Sequence, residues 1–131
     1  MMPEMQPDPS HRAEMLLNFW FAPERASERD RFRDIWFQAT PEFDAALAER
    51  FRGDYDRAAA GVYGPWRAAP QTCLALILLL DQLPRNLFRN SPRAHATDTA
   101  ALEIAREAVT RGYDHAEAPV RRWFFYMPLQ Q

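Results

Sequence analysis

The chain has no lysine: all sixteen of its basic residues are arginine. That excludes Schiff-base chemistry and the lysine that holds phosphate in a P-loop. Cysteine is almost missing as well, and Cys73 alone cannot close an intramolecular disulfide, which excludes a stapled secreted fold. With only four glycines there is no glycine-rich phosphate loop, and no Gly-x-Ser-x-Gly elbow occurs. His11, His95 and His115 stand apart, without a His-Glu-x-x-His pair, so the ligand count gives neither a metal site nor a cofactor. A formal charge of −2 lacks the basic excess of a nucleic-acid footprint. The apolar run from Cys73 to Leu80 is far short of the roughly 20 residues that cross a bilayer. Met1 to Pro7 lacks the basic-then-apolar order of a signal peptide. These absences point to a cytoplasmic protein with no nucleic-acid or membrane partner.

What is present is ordinary for a globular core. At 131 residues the chain is expected to form one domain over 1–131, with residues 1–8 loose. Hydrophobic residues make up 47% and aromatics 13%, with Trp20, Trp36, Trp66 and Trp123 implying a core rich in rings.

Helical periodicity dominates and strand alternation is nearly absent. Asp8-Pro9 reads as a cap followed by proline at the first helical position, after which Met15, Leu16, Phe19 and Trp20 recur at helical spacing until Pro23. Residues 23 to 34 are highly charged and predict a solvated connection with room for one helical turn. Ile35-Trp36-Phe37 then returns the chain to the core. Thr40-Pro41 repeats the cap signal, and Phe43, Leu47 and Phe51 form one apolar stripe on a helix to about Arg52. Gly53 is a candidate stop, with resumption through Tyr55 to Ala60 as the alternative. Gly64-Pro65 marks a turn anchored by Trp66.

Pro70 opens a central helix over the apolar run. Leucine dominates this run where valine or isoleucine would favour a strand. Pro84 is expected to end the helix near Leu83, leaving 84 to 97 as a turn or single-turn helices. Thr97-Asp98 predicts the cap of an amphipathic helix with Ala101, Leu102, Ile104, Ala105, Ala108 and Val109 inward and Gly112 at its end. Pro119 starts a last segment, Val120 to Tyr126, whose Trp123-Phe124-Phe125-Tyr126 reads as buried aromatic, and Met127-Pro128 stops it.

The string from Leu74 to Arg89, with Asp81-Gln82-Leu83-Pro84-Arg85-Asn86-Leu87-Phe88-Arg89 at its end, followed by Ser91-Pro92-Arg93-Ala94 and Ala96-Thr97-Asp98, resembles the signature of an uncharacterised bacterial family, the domain of unknown function numbered 924. Asn18-Phe19-Trp20-Phe21, Trp36-Phe37, Phe43-Asp44, Leu47, Phe51 and Tyr126-Met127-Pro128-Leu129 extend the resemblance over residues 8 to 129. The segments themselves give five to six helices, and the resemblance implies an all-α fold of antiparallel helical hairpins, tetratricopeptide-like, with no established activity, substrate or cofactor. Leu83 and His95 depart from a usual Phe, and Asn90 from a usual Gly. Members of the family continue past this point with further helices, so the chain looks short at its C-terminus. A missing helical layer there would leave apolar surface for self-association or a protein partner.

Two functional readings remain open. One is a helical interaction or scaffold module with an unidentified protein partner, with no catalytic residue assigned. The other is a small-molecule enzyme or anion-binding protein whose site gathers Asp81, Arg85, Asn86, Arg89, Arg93, His95 and Asp98, because guanidinium forks can clamp a carboxylate or phosphate. In that reading His95 is the one group near neutral pH that could act as a base. The competing use of the same residues is structural, with Asp81 and Asp98 pairing the arginines to hold a loop. Cys73, inside the apolar helix, is expected to be an inert thiol.

Overall fold

The computed structural model describes residues 9–23, 25–38 and 40–130. These form six α-helical segments and no strand: α1 (Pro9–Phe21), α2 (Pro41–Ala59), α3 (Pro70–Ile77), α4 (Leu83–Leu87), α5 (Asp98–Thr110) and α6 (Pro119–Tyr126). The fold is all-α. The expected cap at Asp8 and the loose residues 1–8 lie outside the described residues.

The central helix does not end at Pro84. A π-turn over Leu78–Gln82 joins α3 to α4, with the Leu83 N–H reaching the Leu78 carbonyl, and helical backbone runs on to Leu87. The reason is local. In an unbroken α-helix, proline would clash with the carbonyl four residues earlier, that of Leu80, and leave it without a donor. The wider turn absorbs the proline, and Thr97 Oγ1 donates to the Leu80 carbonyl at 2.6 Å. Thr97 therefore sits at the N-cap of α5 but spends its hydroxyl on the neighbouring helix, with no side-chain cap bond of its own. Thr97→Val is expected to cost about 1–2 kcal/mol by stranding a buried carbonyl, with Thr97→Ser close to wild type. A urea melt in which valine matches wild type would show that this bond contributes nothing.

Leu74 to Leu80 are buried on every side, as a helix enclosed by others must be. α1, α5 and α6 pack on α3, while α2 packs on α4. Thr40 caps α2 by accepting from the Phe43 N–H at 3.4 Å. This helix passes Gly53 without a break, because Asp54, Tyr55 and Ala58 continue the buried stripe of Phe43, Leu47 and Phe51. Burial there outweighs the roughly 1 kcal/mol that a helical glycine costs. Gly112, at φ +79°, ends α5 in the left-handed conformation its sequence position implied. Asn90 also has positive φ, +66°, which explains why glycine suits that position and why asparagine can replace it.

The charged connection is less solvated than its composition suggests. Arg33 Nη1 donates to the carbonyls of Phe19 and Trp20 at 3.0 and 2.9 Å, and Arg29 Nη1 to that of Ala22 at 3.1 Å. These guanidinium groups satisfy the C-terminal carbonyls of α1, which glycine or water would otherwise serve. Trp36 Nε1 adds a bond to Trp20 O at 2.8 Å, and its ring lies 4.9 Å from that of Phe124. Two rings expected in the core are outside it: Phe37 is 54% and Trp123 49% exposed. Phe32, 52% exposed, stacks on Phe37 at 5.9 Å and meets the edge of Trp123 at 6.0 Å, so the three form one outward aromatic face. Among the described residues no helix is long and apolar enough to cross a membrane.

Candidate functional site

The π-turn sets which way the residues after the apolar run face. Asp81 is carried inward, 1% exposed, and accepts from Gln82 Nε2 at 2.8 Å. One turn later Arg85 spans two carboxylates, with Nη1 at 3.4 Å from Asp81 Oδ1 and 3.1 Å from Asp98 Oδ1, and Nη2 at 3.3 Å from Asp98 Oδ2. It also donates to the Asp81 backbone carbonyl. Asp98 in turn meets His95 Nδ1 at 3.1 Å, which leaves that exposed imidazole at the outer end of a chain of ions.

Asn86 and Arg89 face elsewhere. Both reach across to Asp44 on α2: Asn86 Nδ2 to Oδ1 at 2.9 Å, Arg89 Nε to Oδ2 at 2.8 Å and Arg89 Nη2 to Oδ1 at 2.9 Å. Arg89 is thus a bidentate clamp on a carboxylate the protein itself supplies. Burial raises the Asp44 carboxyl, but the bonds from Arg89 and Asn86 outweigh it and hold the group below its usual range. Arg93 lies over the Phe88 ring, 4.0 Å from its centroid, with Arg52 over the same ring at 4.8 Å. The seven residues singled out in the sequence therefore divide into three groups: Asp81, Arg85, Asp98 and His95; Asn86 and Arg89 on Asp44; and Arg93 on Phe88.

Between the first two groups lies a half-open cleft of about 270 Å³. Gln82, Arg85, Asn86 and Arg89 supply its polar wall, and Trp36, Phe37 and Met127 supply its apolar wall. Asp44 and Met127 were not among the site residues expected from the sequence, and Phe37 was expected in the core by default. Asp44 is one carboxylate among many and bonds a residue 45 positions away, a pairing no local pattern reveals. The cleft sets amide and guanidinium groups beside an aromatic wall. His95 belongs to the Asp98 chain and does not line the cleft. Burial pushes the Cys73 thiol up to about 12, against any nucleophilic role.

The class of protein is defined by these features: an all-α chain built round a leucine-rich helix with a π-turn, carrying an arginine and carboxylate cluster at its end. The family described as bacterial protein of unknown function (DUF924) matches residues 16–131, and the chain belongs to it. A solved structure of a protein of unknown function from Agrobacterium tumefaciens is similar at 36% identity and a TM-score of 0.84, over 95% of this chain and 66% of that one. The chain thus spans slightly less than two thirds of that protein's length. No curated protein matches it.

Proposed function

We propose that the protein is a tetratricopeptide-like interaction module of the bacterial cytoplasm, taking a partner's polypeptide segment that pairs an apolar anchor with a carboxylate. The observation that carries this reading is the continuity of two surfaces through Phe37. That ring belongs both to the exposed aromatic face with Phe32 and Trp123 and to the cleft walled by Arg85 and Arg89. An apolar side chain would rest on the rings while its neighbouring carboxylate meets the guanidinium and amide edges. The packing of α3 on α5, the next helix after the continuous α3–α4, and on α1 and α6 one helix further away supports a hairpin array, in which each helix meets both its neighbour and the one beyond. The carboxylates that already neutralise both arginines favour this use over tight capture of a free polyanion.

Panning the full chain against a displayed random-peptide library is expected to enrich peptides with an apolar residue close to an acidic one. Phe37→Ser and Arg89→Ala, both at exposed positions, should each weaken binding of those peptides by about tenfold or more, equivalent to about 1.4 kcal/mol. No enrichment over an unrelated helical protein, or binding by both variants equal to that of wild type, would overturn the reading.

A further inference from the structure

A second opening, a groove of about 480 Å³, runs between α1, α2 and the connection that follows α1. Its floor follows from the apolar periodicity of the two helices. Phe43 and Phe51 lie on the buried stripe of α2, and Phe19 of α1 stacks on Phe43 at 5.8 Å and meets the edge of Phe51 at 5.6 Å. Met15, 37% exposed, and the half-buried Ile35 continue the apolar surface up the sides. None of these five side chains is polar, so the surface favours an apolar body over water.

The rim has one sign of charge. Arg33 and Arg50 line the groove, and no acidic residue does among the described residues. Both cations are held on Phe19: Arg33 Nη1 donates to the Phe19 and Trp20 carbonyls at 3.0 and 2.9 Å, and the Arg50 guanidinium lies 5.1 Å from the centroid of the Phe19 ring. Neither has a carboxylate partner among the described residues. Carbonyls and a ring face carry only partial charge, so both guanidinium groups keep most of their positive charge. Among the described residues the Nε and Nη2 edge of Arg33 is neither enclosed nor bonded, and Arg50 is exposed, so both can be reached from solvent. Asn18 adds a neutral donor: its Oδ1 accepts from Arg29 Nη1 at 3.1 Å, which leaves Nδ2 for a ligand.

We propose that this groove binds a free alkyl carboxylate of medium chain length, its chain on Phe19, Phe43 and Phe51 and its carboxylate on the guanidinium groups of Arg33 and Arg50. Charge complementarity selects the head group: two accessible cations with no carboxylate of their own take one anion, and guanidinium forks pair with a carboxylate through charge-assisted hydrogen bonds. The floor selects the tail. A peptide would bring N–H donors to rings that offer no acceptor, and a polyanion would leave the floor unused, whereas an alkyl chain has no polar group to satisfy. The volume lies within the roughly 300–1,000 Å³ of small-molecule sites. The groove shares no residue with the cleft beside Arg85 and Arg89, so the two stand or fall separately.

Titrating the full chain with decanoate below its micelle-forming concentration, followed by amide resonances in NMR, is the test. Saturable shifts centred on Phe19, Ala22 and Ile35 are expected, with affinity falling about threefold for each methylene removed down to hexanoate. Decanol has the same chain and no charge and should bind more weakly by about tenfold or more, and Arg50→Gln, at an exposed position, should weaken decanoate by a similar factor. Arg33→Gln should do the same, and since its loss also leaves the α1 carbonyls unserved, Arg50→Gln decides if that variant does not fold. Equal binding of decanol, decanoate binding unchanged in Arg50→Gln, or shifts centred on Phe37 and Met127 would overturn the proposal. So would broadening at the groove that grows with protein concentration and does not respond to decanoate, the mark of a groove covered by a second copy.

Discussion

Phe124→Ala is expected to lower stability by about 3–5 kcal/mol, whereas the same change at the adjacent Trp123 costs under about 1 kcal/mol. Phe124 is fully buried and is the ring on which the aromatic core converges. Trp20, Phe21 and Trp36 meet it edge-on, with centroids at 5.7, 5.5 and 4.9 Å. Those rings come from α1 and from the connection that follows it, so truncation opens a cavity between segments remote in sequence. Removing the edge-to-face attraction of three rings adds to the transfer and cavity costs. Trp123 is half exposed and its ring partner, Phe32, is equally so, so its removal leaves no void. Equilibrium urea denaturation followed by circular dichroism measures both, and Phe124→Leu provides a milder variant if alanine prevents folding. Equal costs at the two positions would show that α6 presents a different face to the core.

Asp81→Ala is expected to cost more than about 2 kcal/mol, since it removes a carboxylate from beneath a partly buried guanidinium. Asp81 is the inner of the two carboxylates bridged by Arg85, and Gln82 is hydrogen-bonded to it as well. Alanine removes the carboxylate that the Gln82 amide donates to and takes one of the two negative charges away from Arg85 under the core. Asp98→Ala makes the contrast. Its side chain is 32% exposed, water can replace it, and its loss should cost about 1 kcal/mol or less. A denaturant melt with less than about 0.5 kcal/mol between Asp81→Ala and wild type would mean the buried pairing stabilises nothing. The larger cost would show that this segment holds the turn after the central helix in place, whatever else it binds.

The course of α2 and the central helix shows where local patterns suffice and where they fail. Thr40-Pro41 and the stripe Phe43, Leu47, Phe51 were readable because capping and helical periodicity act within a few residues. Gly53 left the end of its helix open, with continuation to Ala60 as the alternative the structure bears out, and Pro84 misled as a stop, because each local cost is offset by something distant. For Gly53 it is the further burial of Tyr55 and Ala58; for Pro84 it is the hydroxyl of Thr97 on the Leu80 carbonyl. The arginine cluster behaved likewise. Its residue types announced ion pairing, but the carboxylate that engages Arg89 and Asn86 lies on α2, and the turn of the helix sends Arg85 the other way.

The sequence by itself determined the all-helical class, most helix starts, the buried leucine run and the family, because caps, periodicity and a contiguous motif are properties of neighbouring residues. Only the tertiary structure decided that Phe37 and Trp123 face outward and that Asp44 completes the Arg89 clamp. It alone sent the Thr97 hydroxyl to the Leu80 carbonyl. The physical reason is common to all three: burial and pairing depend on which segments meet across the fold, and residues far apart in the chain supply both sides of each contact.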